Sequence, residues 1–260
     1  MSRIHPFEAV ENFRDYGDYA TTAGRRLRPG RLLRSGHHAR ASDEDLRRLA
    51  DLAPAVVVDL RRKVERDAQP SRRPAGFSGR VIETPGAEDA LSEAPHIQFL
   101  KTNDLTETSG RAFMREAYRR LPFEPAHVDL FSRYFQALAE ADGPVLIHCA
   151  AGKDRTGVLA ALTHHLAGVG EDAMLEDYLL TNTAVRLEAR APHVARQLEQ
   201  MTGRKASHAA VVAFLGVEAD YLRAAFAEIE ARHGTLDGYF ERVLGVDRAM
   251  RGRIEARLCD

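Results

Sequence analysis

Apolar positions along the chain follow two rhythms. Nearly unbroken apolar runs at 55–60 and 145–147, each preceded by a proline, have the pattern of strands buried on both faces of a parallel sheet. Leu32-Leu33 and Val81-Ile82 are shorter strand candidates, and 19–22 with 25–27 flank Ala23-Gly24 as a hairpin. Elsewhere apolar residues recur at helical spacing. Ser42 caps a helix running through Leu52, with Asp45 placed for a capping box. Further helices are expected over 111–121, 126–141, 158–166, 171–180, 185–201, 219–233 and 247–258. Pro192 should kink or split the helix over 185–201, because proline removes a backbone donor and crowds the preceding turn. Residues 86–108 lack clear periodicity and are expected to form a long loop. The pattern as a whole is α/β: a central, mainly parallel sheet flanked by helices, with a helical C-terminal part.

Composition narrows the picture. The chain has 260 residues, is 44% hydrophobic and lacks Trp, enough for one substantial core, so 1–260 is read as a single domain without linkers or repeats. A net charge of -1 argues against nucleic acid as a partner, which usually calls for a strong basic excess. No run is long and apolar enough to span a membrane, and residues 1–10 lack the apolar core of a signal peptide. The expected location is cytoplasmic, with export independent of a signal peptide left open. The two cysteines give no disulfide framework, and Cys259 reads as a free terminal thiol. No zinc-type cysteine pair or H-E-x-x-H occurs, and His37-His38 and His164-His165 lack ligand spacing, so neither metal nor cofactor is expected. Gly152-Lys153 is followed by Asp154 rather than Ser or Thr, which excludes a Walker A loop.

The chemistry concentrates in residues 148–157, His-Cys-Ala-Ala-Gly-Lys-Asp-Arg-Thr-Gly. They join a buried strand to the start of a helix, so Cys149 sits on a tight turn with Arg155 six residues on. Amides curling toward the helix start form a nest, and the helix dipole adds positive potential at the same place. Such a field binds an oxyanion through Ala150, Ala151, Gly152, Lys153, Asp154 and Arg155, and favours the thiolate of Cys149 as a nucleophile. The planar fork of Arg155 can hold two phosphate oxygens together. Thr156 is placed to offer its hydroxyl to the sulfur when that sulfur leaves.

This decapeptide resembles the signature loop of the cysteine-dependent protein tyrosine phosphatase superfamily. Asn12-Phe13-Arg14-Asp15, then 29–35, then Val57-Val58-Asp59-Leu60-Arg61 with Glu65, then 177–182 follow in the order found in its atypical bacterial and fungal branch. The resemblance covers nearly the whole chain. It implies a phosphatase fold and a phosphocysteine intermediate. It also implies phosphotyrosine substrates, in some members phosphoserine, phosphothreonine or phosphoinositides, with inorganic phosphate as product.

Such an enzyme needs a carboxylic acid to protonate the departing oxygen. Asp154 ranks first, by similarity to the myotubularin-like lipid phosphatases; Asp59 is second and Asp104, on a separate preceding loop, third. The lesser reading of Asp154 is a carboxylate that braces the loop, since acidic side chains often cap helix N-termini. Lys153 is read either as neutralising a second phosphate or as a structural lysine bonded to carbonyls. His148 either hydrogen-bonds within the loop or packs. Arg61 and Glu65 either orient the loop or substrate or form an ordinary salt bridge. Arg25, Arg26, Arg28, Arg31 and Arg34 read as a solvated basic face. The helix over 185–201, with Arg186, Arg190 and Arg196 beside few large apolar residues, reads either as a mobile lid or as a solvated helix, which makes 183–215 a candidate helical lid. The rival functions are a rhodanese-like sulfurtransferase, an arsenate reductase and a phosphoprotein-binding pseudophosphatase.

Overall fold

In the computed structural model, which describes residues 3–85 and 95–260, five strands form one sheet in the order β1-β2-β5-β3-β4. They are β1 Arg14–Asp15, β2 Leu32–Ser35, β3 Val56–Asp59, β4 Arg80–Ile82 and β5 Val145–His148. All neighbours run parallel except β1, which is antiparallel to β2 at the edge. Burial on both faces explains the unbroken apolar runs. Val56 and Val58 of β3 face the larger core together with Val145 and Ile147 of β5. Val57 and Leu146 face a smaller one with Leu33 and Leu49.

The smaller core is covered by α1, Asp43–Leu52. Ser42 and Asp45 form the expected capping box, and the buried Asp45 carboxylate also accepts from the amides of Glu8, Ala9 and Val10, which pins the N-terminal segment. Most other helices cover the larger core: α4 Glu107–Arg120, α5 Pro125–Glu140, α6 Asp154–Leu166, α7 Glu171–Ala184, α10 Ala219–His233 and α12 Arg248–Leu258. The turn at Ala23-Gly24 closes as a small hairpin with a single bridge, Ala20 to Arg26. Among the described residues no helix is long and apolar enough to cross a membrane.

Several elements depart from expectation. The stretch expected as loop over 86–108 contains α3, Pro95–Thr102, while 86–94 lie outside the described residues. The Phe99 ring packs tilted against Phe113 and stacks on Phe214, with centroids 4.4 and 5.8 Å apart, so α3 is held by tertiary aromatic contacts rather than by its own periodicity. α2 Lys63–Ala68, α9 His208–Leu215 and α11 Leu236–Arg242 are short helices that the pattern did not mark. α8, Leu187–Thr202, continues through Pro192 without splitting. It is less solvated than its composition suggests, since Leu187, Ala191 and Leu198 are buried.

Candidate active site

The register of the parallel strands aligns Ser35, His148 and Asp59 at their carboxyl ends, the edge where open parallel sheets place ligands. Residues 149–153 leave β5 at this edge and curl into α6. Their carbonyls are taken up from outside. Ala150 O accepts from the His37 amide at 3.1 Å, and Ala151 O accepts from Asn12 Nδ2 at 3.2 Å. Gly152 O accepts from Asn12 Nδ2 at 2.7 Å and from Arg34 Nη2 at 3.0 Å. A trans peptide directs each C=O opposite to the following N–H, so the amides of Ala151, Gly152 and Lys153 face the concave side of the curl. Gly152 adopts φ +65°, and a Cβ there would lie 2.3 Å from Ser35 O, so no larger residue fits. Cys149 is a buried free thiol in the resulting cradle.

Arg155 is clamped in place by Glu65 of α2. Its Nη1 and Nη2 donate to the two Glu65 oxygens at 2.6 and 2.9 Å, and Nη1 also donates to Leu60 O at 3.1 Å. Three of the five guanidinium donors are thereby used. The edge formed by Nε and the second Nη2 proton has no partner among the described residues and can take two oxygens of a tetrahedral anion. Burial opposes the Glu65 charge, but Arg155 outweighs it and holds the carboxyl at about 2. The Arg62 amide donates to Glu65 Oε2 at 2.8 Å and fixes the carboxylate further.

The three carboxylate candidates are sharply separated. Asp154, the first residue of α6, is part exposed, and its Oδ1 accepts from Tyr118 Oη at 2.9 Å. Asp59 is buried with both oxygens occupied by Arg61, at 2.7 Å for Nη2 to Oδ2 and 2.9 Å for Nε to Oδ1. Burial opposes its charge, but His148 and Arg61 more than offset this and keep it well below the usual carboxylate range. Asp104 is exposed, 3.5 Å from Arg204. Of the three, Asp154 alone stands on the loop itself, while Asp59 is taken up by Arg61 and Asp104 lies beside Arg204. Arg61 completes its shell with Gln69 O and Ser71 Oγ, so it braces the end of β3 rather than facing the loop.

Three further expectations are corrected or resolved. Among the described residues neither ring nitrogen of His148 meets a hydrogen-bond partner; the ring stacks on His38 at 4.7 Å, and Nε2 stands 3.7 Å from Asp59 Oδ2. Burial, partly opposed by Asp59, lowers His148 to about 4, so it packs as a neutral ring. The Thr156 hydroxyl is buried without a hydrogen-bond partner among the described residues, so a bond to the Cys149 sulfur is not made in this state. Lys153 is buried and donates through Nζ to Phe214 O at 3.2 Å and Leu215 O at 3.0 Å, the last carbonyls of α9. A cation at a helix C-terminus is favoured by the dipole there.

Part of the arginine cluster is also unlike a solvated face. Arg34 is buried and, with Arg14, grips Asp177 of α7: Arg14 Nε to Oδ1 at 2.8 Å, Arg34 Nη1 to Oδ2 at 2.5 Å. Arg14 also reaches Thr181 Oγ1 and Asn12 Oδ1. The segments 12–15, 29–35 and 177–182 thus meet behind the loop, where they hold its carbonyls. Arg25, Arg26 and Arg28 do lie outside, paired with Glu255, Asp18 and Asp260, and Arg31 bonds the carbonyls of Ala141 and Asp142. Tyr118 carried no signal in the sequence, since it reads as an ordinary core position of an amphipathic helix, and Tyr178 entered only as one residue of the segment 177–182, without a role of its own. No group of residues suited to a metal ion occurs among the described residues.

Comparison with known proteins places this geometry in context. The tyrosine phosphatase family matches residues 5–260. A Cupriavidus necator protein that carries a tyrosine-protein phosphatase name is 34% identical over 95% of this chain and 86% of its own. The triple specificity protein phosphatase PtpB of Mycobacterium tuberculosis is 36% identical over 95% of this chain and 96% of its own. A tyrosine-protein phosphatase of Nostoc commune is 28% identical over 87% and 74%.

Proposed function

The chain belongs to the tyrosine phosphatase family, and from that premise we propose that it hydrolyses phosphotyrosine through a phosphocysteine on Cys149. Family membership weighs against the sulfurtransferase and arsenate reductase readings, and the presence of Cys149, Arg155 and Thr156 together weighs against a non-catalytic binder. The observation that carries the mechanism is the buried Cys149 thiol in a curl whose carbonyls are tied outward, beside a guanidinium edge left open by the Glu65 clamp.

In the first step the Cys149 thiolate attacks phosphorus while Asp154 gives its proton to the departing oxygen. The P–O bond breaks, and its electron pair stays on that oxygen. Arg155 and the amides of the curl bear the charge on the equatorial oxygens. In the second step Asp154 takes a proton from water, which attacks phosphorus and expels the thiolate. Thr156 serves here by turning its unpartnered hydroxyl to the leaving sulfur. Inorganic phosphate is the product, and no metal or cofactor takes part.

A wider substrate range is proposed by analogy with the triple specificity relative, and phosphoserine, phosphothreonine and phosphoinositides are the substrates that the resemblance of the sequence implies. Lys153 would leave the α9 carbonyls to meet a second phosphate. Residues 183–215, which hold α8 and α9, are proposed as a lid within a single domain spanning 1–260, and the Lys153 contact supports that reading by tying α9 to the loop. A cytoplasmic place of action rests on the sequence alone. Phosphate release from phosphotyrosyl, phosphoseryl and phosphoinositide substrates is the test, run for wild type, Cys149→Ser and Lys153→Ala. Cys149→Ser should abolish release on every substrate, and Lys153→Ala should fall selectively on substrates with a second phosphate. Residual release by Cys149→Ser would remove the covalent route, and equal losses for Lys153→Ala on all substrates would remove the second-phosphate role.

A further inference from the structure

Two buried tyrosines connect Asp154 to helices distant in sequence. Tyr118 of α4 donates its hydroxyl proton to Asp154 Oδ1 at 2.9 Å and accepts from Tyr178 Oη of α7 at 2.8 Å. Both rings are 1% exposed, so the bond between the tyrosines is shielded from water, while the bond to Asp154 is part-buried. A phenol has one proton to give. Because Tyr178 donates to Tyr118, that proton is directed to Asp154, and the chain of bonds has a single sense. Lys153 Nζ also lies on the Oδ1 side, at 3.4 Å. Oδ2 has no partner among the described residues. Tyr178 is itself fixed, since its ring edge rests where Gly157 leaves room: a Cβ on Gly157 would stand 2.9 Å from it.

We infer that Tyr118, held by Tyr178, is a positioning residue that occupies Asp154 Oδ1 and so leaves Oδ2 as the oxygen that carries the transferable proton. The inference rests on the reading of Asp154 as the general acid. An oxygen that already accepts a hydrogen bond from a fixed donor does not carry the acid proton, so protonation falls on Oδ2, and the carboxyl cannot turn without breaking the bond to Tyr118. In the first step the Oδ2 proton passes to the departing oxygen as P–O breaks and P–S forms. In the second, water returns a proton to Oδ2 as its oxygen bonds phosphorus. Tyr118 keeps its own proton in both steps; burial, then the nearby Asp154 charge, raise its phenol well above the ordinary range.

The test is the dependence of kcat/KM, which reports the steps through loss of the leaving group, on leaving-group basicity across a series of aryl phosphates, for wild type, Asp154→Asn, Tyr118→Phe and Tyr178→Phe. Inhibition by inorganic phosphate and the melting temperature are measured alongside. A positioned acid matters most for a basic leaving group and hardly for a dinitrophenolate. Asp154→Asn should slow the poorest leaving group by about 100-fold or more, the usual worth of general acid catalysis. Tyr118→Phe should slow it by about 10-fold and Tyr178→Phe by less, with phosphate inhibition unchanged in both. If Asp154→Asn shows no leaving-group dependence, the assignment of the acid fails. If Asp154→Asn shows it while Tyr118→Phe slows all substrates equally or none, the acid stands and the positioning role is overturned. Should Tyr118→Phe not fold, Tyr178→Phe decides: it keeps the Tyr118 ring but removes the bond that directs its proton, and an unchanged slope there overturns the inference.

Discussion

Glu65 and Arg155 show how one residue prepares another. The carboxylate takes the end of the guanidinium and leaves its side edge open, so Arg155 presents two parallel donors in a fixed plane before any anion arrives. Glu65→Gln keeps the shape but loses the charge and one acceptor. We expect inhibition by inorganic phosphate to weaken and KM for an aryl phosphate to rise, each by about 10-fold, with a smaller change in kcat, as the loss of a charge-assisted bond predicts. Unchanged phosphate inhibition would mean that Arg155 needs no clamp. At this scale the sequence was legible where chemistry is local. Cys149 and Arg155 lie six residues apart on one turn, and Glu65 follows directly on the Asp59 strand. It was illegible where the partner is remote. Arg34 looked like one of a run of surface arginines because its partner, Asp177, stands far along the chain, and Tyr118 reads as core packing until Asp154 is seen beside it.

Among the helices, α7 does the most for the site. Its Asp177 joins Arg14 and Arg34, its Tyr178 reaches Tyr118, and its Asn182 pairs with both backbone groups of Val217 just beyond α9. Burial opposes the Asp177 charge, but the two arginines outweigh it and hold the carboxyl well below its ordinary range. Asp177→Asn would leave two buried guanidinium groups without a counter-charge. That should destabilise the protein by about 3 to 5 kcal/mol in denaturant unfolding, the usual result of breaking one side of a buried pair. A loss under about 1 kcal/mol would show that the arginines find other partners. The helices missed in the sequence were missed for physical reasons. α9 is eight residues long and apolar on nearly every side, with Ala210, Val211, Ala213 and Phe214 buried, so it carries no period to detect. α3 owes its place to Phe113 and Phe214, which a local pattern cannot reveal.

For the molecule as a whole, the sheet was legible because strands buried on both faces need unbroken apolar runs, and β3 and β5 supply them. The buried polar groups near it set the acid stability. Burial lowers His38, His148 and His164 below the ordinary 6.5, His148 to about 4. Between these values the unfolded chain binds protons that the folded chain refuses, so stability rises with pH and is lost as pH falls from about 6.5 toward 4. Each histidine contributes a slope of up to about 1.4 kcal/mol per pH unit between its own lowered value and the ordinary one. Glu65 and Asp177, held low by their arginines, add losses of the same sign at lower pH. The melting temperature should therefore drop steeply below about pH 6.5; a flat profile down to about pH 5 would mean that these rings reach water. The central claim, a covalent phosphatase built on the loop after β5, is tested most directly by rapid acid quench during turnover of an aryl phosphate, followed by peptide mass mapping. A phosphoryl adduct on the peptide containing Cys149, absent in Cys149→Ser, is the expected result. Full turnover with no adduct, or an adduct on another residue, would contradict it.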